Sequence, residues 1–278
     1  MISVRTIRRQ ALTAVIWVLL AAVTVLFVLP VYWMLSTSFQ ASDKLFSLPI
    51  EWLPSVLHTE NYPNALSRAA FPRYFLNSLV VSLAVMAGNL VLGTLAGYGL
   101  AKYRIPGLRV LLLLILCTLM LPIEVVIVPT FLVVKQFDWL NSYQGLAAPF
   151  LVDAFGIYLM RQFILGVPTE YVEAARIDGA GELHILLRIV VPQCLPALAT
   201  LAIFSFRDSW DLFIWPLVVI SRDEWKTLPL GFVRFTDDYV NSQTEQMAIA
   251  TLAMLPVIVL LVFLQRSFVR GFAQAGLK

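Results

Sequence analysis

Long apolar runs separated by short polar segments dominate this sequence. An α-helix rises 1.5 Å per residue, so about 20 mostly apolar residues cross the roughly 30 Å hydrocarbon core of a bilayer. Six stretches have this character, and they predict transmembrane helices near residues 12–35, 75–100, 110–134, 144–165, 194–220 and 246–265. The expected fold is therefore an all-α integral membrane bundle, with residues 1–278 forming a single transmembrane domain.

Three of these predicted spans contain residues that interrupt an apolar helix. They are Pro122, Glu124 and Pro129 in the third span, Asp153 in the fourth, and Arg207, Asp208 and Asp211 in the fifth. A charge inside a span costs roughly 2.5–3.5 kcal/mol, so it usually faces a cavity or another charge. Arg207 and Asp211 are four residues apart and share one helix face, which permits an ion pair.

Composition supports a membrane protein and excludes some functions. The chain is 60% hydrophobic and 13% charged, with a mean hydropathy of +0.83, far above what a water-soluble core needs. A net charge of +3 without a basic, aromatic-rich cluster argues against nucleic acid as a partner. Cys117 and Cys194 are expected to pack as small apolar residues. His58 and His184 fall in different predicted compartments, and no metal site is predicted.

The distribution of lysine and arginine predicts the orientation, because cytoplasmic segments carry the excess of these residues. With the N-terminus inside, the inner segments hold Arg5, Arg8, Arg9, Lys102, Arg104, Arg109, Arg161, Arg176, Arg188, Arg266, Arg270 and Lys278. The outer segments hold Lys44, Arg68, Arg73, Lys135, Arg222, Lys226 and Arg234. Both termini are therefore predicted to be cytoplasmic. Segment 36–74 is predicted to be extracytoplasmic, and segment 166–193 is predicted to face the cytoplasm.

Small residues in the second predicted span favour close helix packing. Gly93 and Gly97 are four apart, an arrangement that lets two helix backbones approach. The contact could lie within the chain or between subunits, and the spacing alone fits both.

Two short helices joined by a glycine turn are predicted in the cytoplasmic segment. Residues 167–192 read VPTEYVEAARIDGAGELHILLRIVVP. Pro168 suits a helix start, and Glu170 and Glu173 complement the positive end of the helix dipole. Gly179 is expected to adopt the left-handed conformation that ends a helix. The segment could dock a partner, or it could merely connect two spans along the membrane surface.

A specific motif favours docking. Glu173-Ala174-Ala175, then Gly179 after three residues, Ile189 after nine more, and Val191-Pro192 resemble the cytoplasmic signature of binding-protein-dependent ABC importer permeases. Further similarity to the carbohydrate-uptake branch, in particular the shorter permease of maltose-type importers, lies in Asn77-Ser78, Ala96-Gly97-Tyr98, Pro106-Gly107 and the tail Gln265-Arg266, Gly271 and Lys278. Val191 replaces the usual leucine, Trp210-Asp211 replaces the usual Trp-Asn, and the last residues read Ala-Gly-Leu-Lys rather than Gly-Ala-Val-Lys.

The resemblance implies a function and a set of partners. It implies a permease in a bacterial or archaeal cytoplasmic membrane that imports a sugar or sugar-like solute by ATP-driven alternating access. Expected partners are a second homologous permease, a dimer of ATP-hydrolysing subunits, an extracytoplasmic solute-binding protein and membrane lipid. The chain is expected to bind no cofactor itself, because ATP and Mg²⁺ would be bound by the ATPase. The expected coupling residues, on a helix that docks into the ATPase, are Glu173, Ala174, Ala175, Asp178 and Gly179.

Two questions remain open at this level. The charges of the fifth span either lock that helix to its neighbours, or Trp210 and Asp211 line the translocation path, with Glu124 and Asp153 as weaker candidates. The function could also be that of a secondary transporter or channel, or the cargo of an ABC importer could be a non-sugar such as a glycerophosphodiester. The sequence contains no G-x-x-x-x-G-K-[ST] phosphate-binding loop, and no enzymatic activity is predicted for the chain.

Overall fold

The computed structural model describes residues 4–45, 48–238 and 242–275, and their regular secondary structure is helical. This confirms the all-α fold class for the described residues. The α-helices are α1 Val4–Thr37, α2 Asn61–Arg68, α3 Phe71–Gly88, α4 Thr94–Lys102, α5 Leu108–Thr118, α6 Ile123–Gln136, α7 Tyr143–Ala147, α8 Ala154–Leu165, α9 Thr169–Ile177, α10 Glu182–Ile185, α11 Val191–Gln193, α12 Leu195–Trp210, α13 Ile214–Val219, α14 Leu228–Asp238 and α15 Gln243–Ala275. Short 3-10 turns lie at Ala148–Phe150 and Asp223–Trp225, and π-helical turns lie at Asn89–Gly93 and Leu186–Val190.

Within the described residues, three helices are long and apolar enough to cross a bilayer without a break. They comprise Leu12–Thr37, Phe71–Lys102 (α3, a π turn and α4) and Gln243–Gln265. Three further candidate spans are bent pairs: α5 with α6 at 103°, Tyr143–Phe150 with α8 at 45°, and Glu182–Gln193 with α12 at 85°. The polar or proline-containing stretches noted in the sequence thus occur in helix pairs that bend sharply.

The chain divides into two compact units. The first contains residues up to Ala69 together with Arg234–Met254. In this unit the apolar side chains of α1 are exposed over most of its length, whereas Ser36, Thr37 and Ser38 at its end are buried. Asn61 of α2 donates hydrogen bonds to the carbonyl oxygens of Ser38 (3.0 Å) and Gln40 (2.9 Å), which fixes the chain that follows α1.

The second unit, Ala70–Val233 with the residues from Leu255 onward, contains the close contact between α4 and α8. A Cβ built at Gly97 would lie 2.8 Å from the Arg161 nitrogen and 2.9 Å from the Met160 Cβ. At Gly93 the nearest atom would be the carbonyl carbon of Gly156, at 3.4 Å. The two glycines of the second predicted span therefore serve packing within the chain.

A single asparagine satisfies the backbone where the fourth predicted span bends. The Asn89 amide donates to the carbonyl oxygen of Phe150 (2.9 Å), and its side-chain oxygen accepts from the Asp153 nitrogen (2.9 Å). Backbone groups freed by a helix break have no water partner in lipid, so a neighbouring side chain has to bond them. Asn89 is 1% exposed, and its burial is accounted for by these bonds.

A second asparagine fixes the opposite end of α3. Asn77 donates to the carbonyl oxygens of Glu224 (3.0 Å) and Lys226 (2.9 Å), and it accepts from the Tyr143 hydroxyl (2.8 Å). One buried side chain thereby joins α3, the turn at Asp223–Trp225 and the start of α7. The position belongs to the Asn77-Ser78 pair singled out in the sequence.

Candidate functional site

The predicted coupling segment forms the helix and turn expected from its sequence. Pro168 precedes α9, and the carbonyl oxygens of Ala174 and Ala175 accept from the nitrogens of Asp178 (3.0 Å) and Ala180 (2.9 Å). Gly179 has a φ of +83°, as its position after the helix predicts. An L-residue with a Cβ strains in this conformation. The turn therefore depends on glycine to bring the chain back toward α10.

One face of α9 is buried and the other is exposed. Val172 packs into an apolar cluster with Tyr98, Ile164, Val167 and Ile185. Of the expected coupling residues, Glu173, Ala174, Asp178 and Gly179 are exposed, whereas Ala175 is half-buried and packs against this cluster. The structure thus gathers all five on one short, accessible stretch of chain.

Two large apolar side chains on the same stretch were not singled out from the sequence. Ile177 is 86% exposed and Tyr171 is 56% exposed. Aromatic side chains are enriched at protein contact surfaces, and the centre of such a surface is more apolar than the rest of the protein exterior. A helical-wheel comparison of α9 with Val172 on the buried side would have identified them.

A carboxylate anchors the coupling segment. Glu182 accepts a hydrogen bond from the Arg176 Nε on Oε1 (2.6 Å) and one from the Tyr98 hydroxyl on Oε2 (2.7 Å). Glu182 lies in segment 166–193, outside the six predicted spans. The hydrogen bond from Arg176, followed by that from Tyr98, lowers the pKa of Glu182 to about 2, so it carries a full negative charge at neutral pH.

The candidate residues of the translocation path are dispersed. Trp210 is 3% exposed; its ring stacks on Phe206 at 5.6 Å and meets Phe75 edge-on at 5.4 Å. Asp211 follows α12 and forms the expected ion pair with Arg207 (3.4 Å), both side chains being more than half exposed. Glu124 is exposed in the first turn of α6. Trp210 thus packs inside the unit, whereas the two carboxylates are accessible.

Asp153 lies at a cavity in the second unit. The cavity has a volume of about 180 Å³, and among the residues that line it are Asp153, Ser205, Asp208, Ser209 and Leu212. The Asp153 side chain also accepts a hydrogen bond from the Gly156 nitrogen and so caps α8. Of the four path candidates, Asp153 lines this cavity, and Trp210, Asp211 and Glu124 are not among its lining residues.

Two hydroxyl groups at the cavity have no hydrogen-bond partner among the described residues. They belong to Ser205, which is 4% exposed, and to Ser209. A buried hydroxyl without a partner costs about 1–3 kcal/mol, so such groups mark places where a ligand or water can bond. The serines could have been noticed in the sequence, because they alternate with the charged residues of the fifth span.

Comparison with known proteins identifies the family of the chain. Residues 89–274 match the family described as "Binding-protein-dependent transport system inner membrane component". The arabinooligosaccharides transport system permease protein AraQ of Bacillus subtilis is 31% identical over 258 residues, 92% of each chain. The sn-glycerol-3-phosphate transport system permease protein UgpE of Rhizobium meliloti is 31% identical over 259 residues, 90% of this chain and 92% of that relative.

A solved structure shares the fold. A chain of a bacterial ABC transporter involved in the import of the acidic polysaccharide alginate superposes with a TM-score of 0.82 at 24% identity, covering 93% of this chain and 97% of the other. The family match spans more than half of the sequence, and it excludes the alternative of a secondary transporter or channel. The chain therefore belongs to the inner-membrane components of binding-protein-dependent transport systems, and it is a non-catalytic permease subunit of an ABC importer.

Proposed function

We propose that this permease imports a sugar or sugar-like solute and that segment 166–193 docks on the ATP-hydrolysing subunit. The observation that carries the docking proposal is the stretch of α9 and its glycine turn, where Glu173, Ala174, Asp178 and Gly179 are exposed beside Ile177. Ala174 lets a partner approach the helix closely, and Glu173 and Asp178 offer carboxylates to the donors of that partner. Ala175, half-buried, sits at the edge of this surface.

The proposed assembly follows from this role. A dimer of ATPase subunits binds ATP and Mg²⁺, a second homologous permease completes the translocation path, and an extracytoplasmic binding protein delivers the solute. In this proposal the chain has six spans, and both termini and segment 166–193 lie in the cytoplasm. The excess of lysine and arginine in the proposed inner segments supports this orientation.

The proposed path runs by the cavity at Asp153 and by the exposed Asp211. Serine hydroxyls and carboxylates suit a ligand rich in hydroxyl donors, because each oxygen can accept a hydrogen bond from the ligand. Carboxylates repel a phosphate ester, so the cavity favours a neutral sugar over glycerol 3-phosphate. Trp210 contributes by packing α12 in position, and Glu124, exposed on α6 and not among the residues that line the cavity, is a weaker candidate.

A pair of glycines tests the coupling proposal. Gly179 and Gly181 both have open space around a built Cβ, but only Gly179 has a positive φ. Gly179→Val strains the turn by about 1–2 kcal/mol, the cost of a left-handed conformation for an L-residue. We expect Gly179→Val to abolish stimulation of ATP hydrolysis by the permease while the binding protein still binds its solute. The matched control, Gly181→Val, retains stimulation.

Equal, normal activity of both valine variants would refute the docking proposal. The orientation is tested separately by a cysteine at Gly181, which should react with an impermeant maleimide only after the membrane is opened. A cysteine at Glu60, in the proposed outer segment, is the opposite control. Labelling of Gly181→Cys from outside intact cells would reverse the proposed topology.

The cargo is tested with a purified importer and its binding protein. We expect the binding protein to bind neutral oligosaccharides and to ignore glycerol 3-phosphate in a titration. Uptake of the bound sugar should fall in Ser205→Ala, because the cavity loses a hydroxyl acceptor. Specific binding of glycerol 3-phosphate would transfer the proposal to the phosphate-ester cargo named for UgpE.

A further inference from the structure

Glu182 joins two helices that are far apart in sequence. Its two carboxylate oxygens are bonded to different elements, Oε1 to Arg176 in the last turn of α9 and Oε2 to Tyr98 in α4, a residue 84 positions away. Tyr98 is 5% exposed, so its hydroxyl is held by the surrounding apolar cluster. Hydrogen bonds to a charged carboxylate are about twice as strong as those between neutral groups.

The helix on the Tyr98 side is fixed to α8. Gly97 brings α4 into backbone contact with α8, and Arg161 of α8 donates to the Leu100 carbonyl oxygen (3.2 Å). Lys102, the last residue of α4, donates to the Val167 carbonyl oxygen (2.7 Å), immediately before α9. Tyr98 therefore belongs to a packed helix pair whose end is bonded to the start of the coupling segment.

The helix on the Arg176 side has few attachments of its own. Val172 is the one residue of α9 that is fully buried, and both ends of the helix run into turns, at Pro168 and at Gly179. Ala175, half-buried, packs against the same apolar cluster. A helix of nine residues held by these two neighbouring side chains can pivot on them. The bond from Arg176 to Glu182 constrains the far end of α9, about two turns from Pro168.

We propose that Glu182 is a positioning residue that makes α9 move as one body with the α4–α8 pair, so that a displacement of the coupling helix reaches the membrane-embedded helices. This inference rests on the proposed docking function of α9. Arg176 connects Glu182 to α9, and Tyr98 connects it to α4. Without the bridge, α9 follows the ATPase by pivoting on Val172 and Ala175, and the membrane helices stay in place.

The test uses the complex of this permease with its partner permease and ATPase, reconstituted in lipid nanodiscs. Leu212→Cys, at the cavity, reports the state of the membrane helices by its rate of maleimide labelling with and without MgATP, in a Cys117→Ala background. We expect the ATP-dependent change in rate to shrink about threefold in Tyr98→Phe and about tenfold in Glu182→Gln, because the second variant loses the charge that strengthens both bonds. ATP hydrolysis continues in both, and the double variant behaves like Glu182→Gln alone.

Controls separate positioning from stability. Tyr158→Phe, an exposed tyrosine of α8, keeps the full ATP-dependent change. The inference is overturned if Glu182→Gln and Tyr98→Phe keep the full ATP-dependent change in labelling rate. It is also overturned if this change falls only in parallel with the thermal stability and the subunit assembly of the variants. Gly179→Val separates the docking proposal from the proposal about Glu182. If Gly179→Val abolishes the ATP-dependent change in labelling while Glu182→Gln and Tyr98→Phe keep it, the docking proposal is supported and the positioning role of Glu182 is refuted. If MgATP leaves the labelling rate of the Leu212→Cys reporter unchanged when Glu182 and Tyr98 are both intact, the proposed function and this inference are refuted together.

Discussion

Two glycines of α4 are predicted to differ sharply in their tolerance of a methyl group. A Cβ at Gly97 would lie 2.8 Å from the Arg161 nitrogen, 2.9 Å from the Met160 Cβ and 3.2 Å from the Ile157 carbonyl oxygen. None of these atoms belongs to the flexible end of a side chain, so the helices themselves have to separate. A Cβ at Gly99, two residues on, meets nothing within 4 Å.

The magnitude follows from two opposing effects. Replacing glycine by alanine inside a helix gains about 1 kcal/mol of helix propensity at either position. Overpacking a tight contact costs about 1–3 kcal/mol, and this cost applies only at Gly97. Gly99→Ala is therefore expected to gain up to about 1 kcal/mol, and Gly97→Ala to range from no change to a loss of about 2 kcal/mol. The difference between the variants measures the helix contact by itself.

Reversible unfolding in mixed micelles measures both variants. Each is titrated with SDS, the helical signal is followed, and the free energies of unfolding are compared. Gly97→Ala should also diminish the ATP-dependent labelling of Leu212→Cys, because it loosens the α4–α8 pair to which Tyr98 belongs. Equal stability of the two variants would refute the reasoning that α4 and α8 are in backbone contact.

Three further predictions concern other polar groups. Asn89→Ala should lower the free energy of unfolding by about 2–4 kcal/mol in the SDS titration, because it leaves the Phe150 carbonyl and the Asp153 nitrogen without their partner. An Asn89→Ala variant that is as stable as the unmodified chain would contradict this. Asp211→Asn should leave assembly of the complex intact, because an exposed ion pair contributes about 1 kcal/mol or less to stability. The same substitution should alter uptake of the solute. Loss of the assembled complex would instead show that the Arg207–Asp211 ion pair fixes α12 to its neighbours. The hydrogen bonds that join Glu182 to Arg176 and Tyr98 should be insensitive to pH between 6 and 8. The pKa of Glu182 is lowered from 4.5 to about 2, so the stability that these bonds contribute is complete above pH 4.5 and is lost only as the pH falls toward 2. A labelling response that disappears at pH 6 would contradict that assignment.

The features predicted correctly from the sequence are local ones. Helix type followed from the length of the apolar runs, and the left-handed turn at Gly179 followed from a glycine placed after a capped helix. The Arg207–Asp211 ion pair followed from their four-residue spacing. Each of these depends on residues within one or two turns of one another, which is the range over which sequence spacing determines geometry.

The features that the sequence did not reveal depend on contacts between distant segments. Pro122 predicts that the helix breaks between α5 and α6, but it does not predict the direction or the size of the bend, which is 103° in the structure. The sequence left two roles open for Trp210, in packing or along the translocation path, because an aromatic side chain suits both; in the structure it is buried and stacks on Phe206. Asn89 could have been noticed, because an amide within an apolar span requires a partner.

The π-helical turn at Asn89–Gly93 has a consequence for insertions and deletions. A π turn accommodates one residue more than an α-helical turn, and each residue of an α-helix advances about 100° around the axis. If the turn straightened to regular α-helix without losing a residue, everything that follows would rotate by about that angle. Gly97 would then leave the surface of α8, and Tyr98 would leave Glu182, although neither residue had been changed. Deleting Leu90, Val91 or Leu92 from the five-residue turn would instead allow regular α-helix to form with the end of α4 still in register, because the π turn holds one residue more than an α-helical turn. We therefore expect a single-residue deletion inside this turn to be tolerated better than one in the middle of α3.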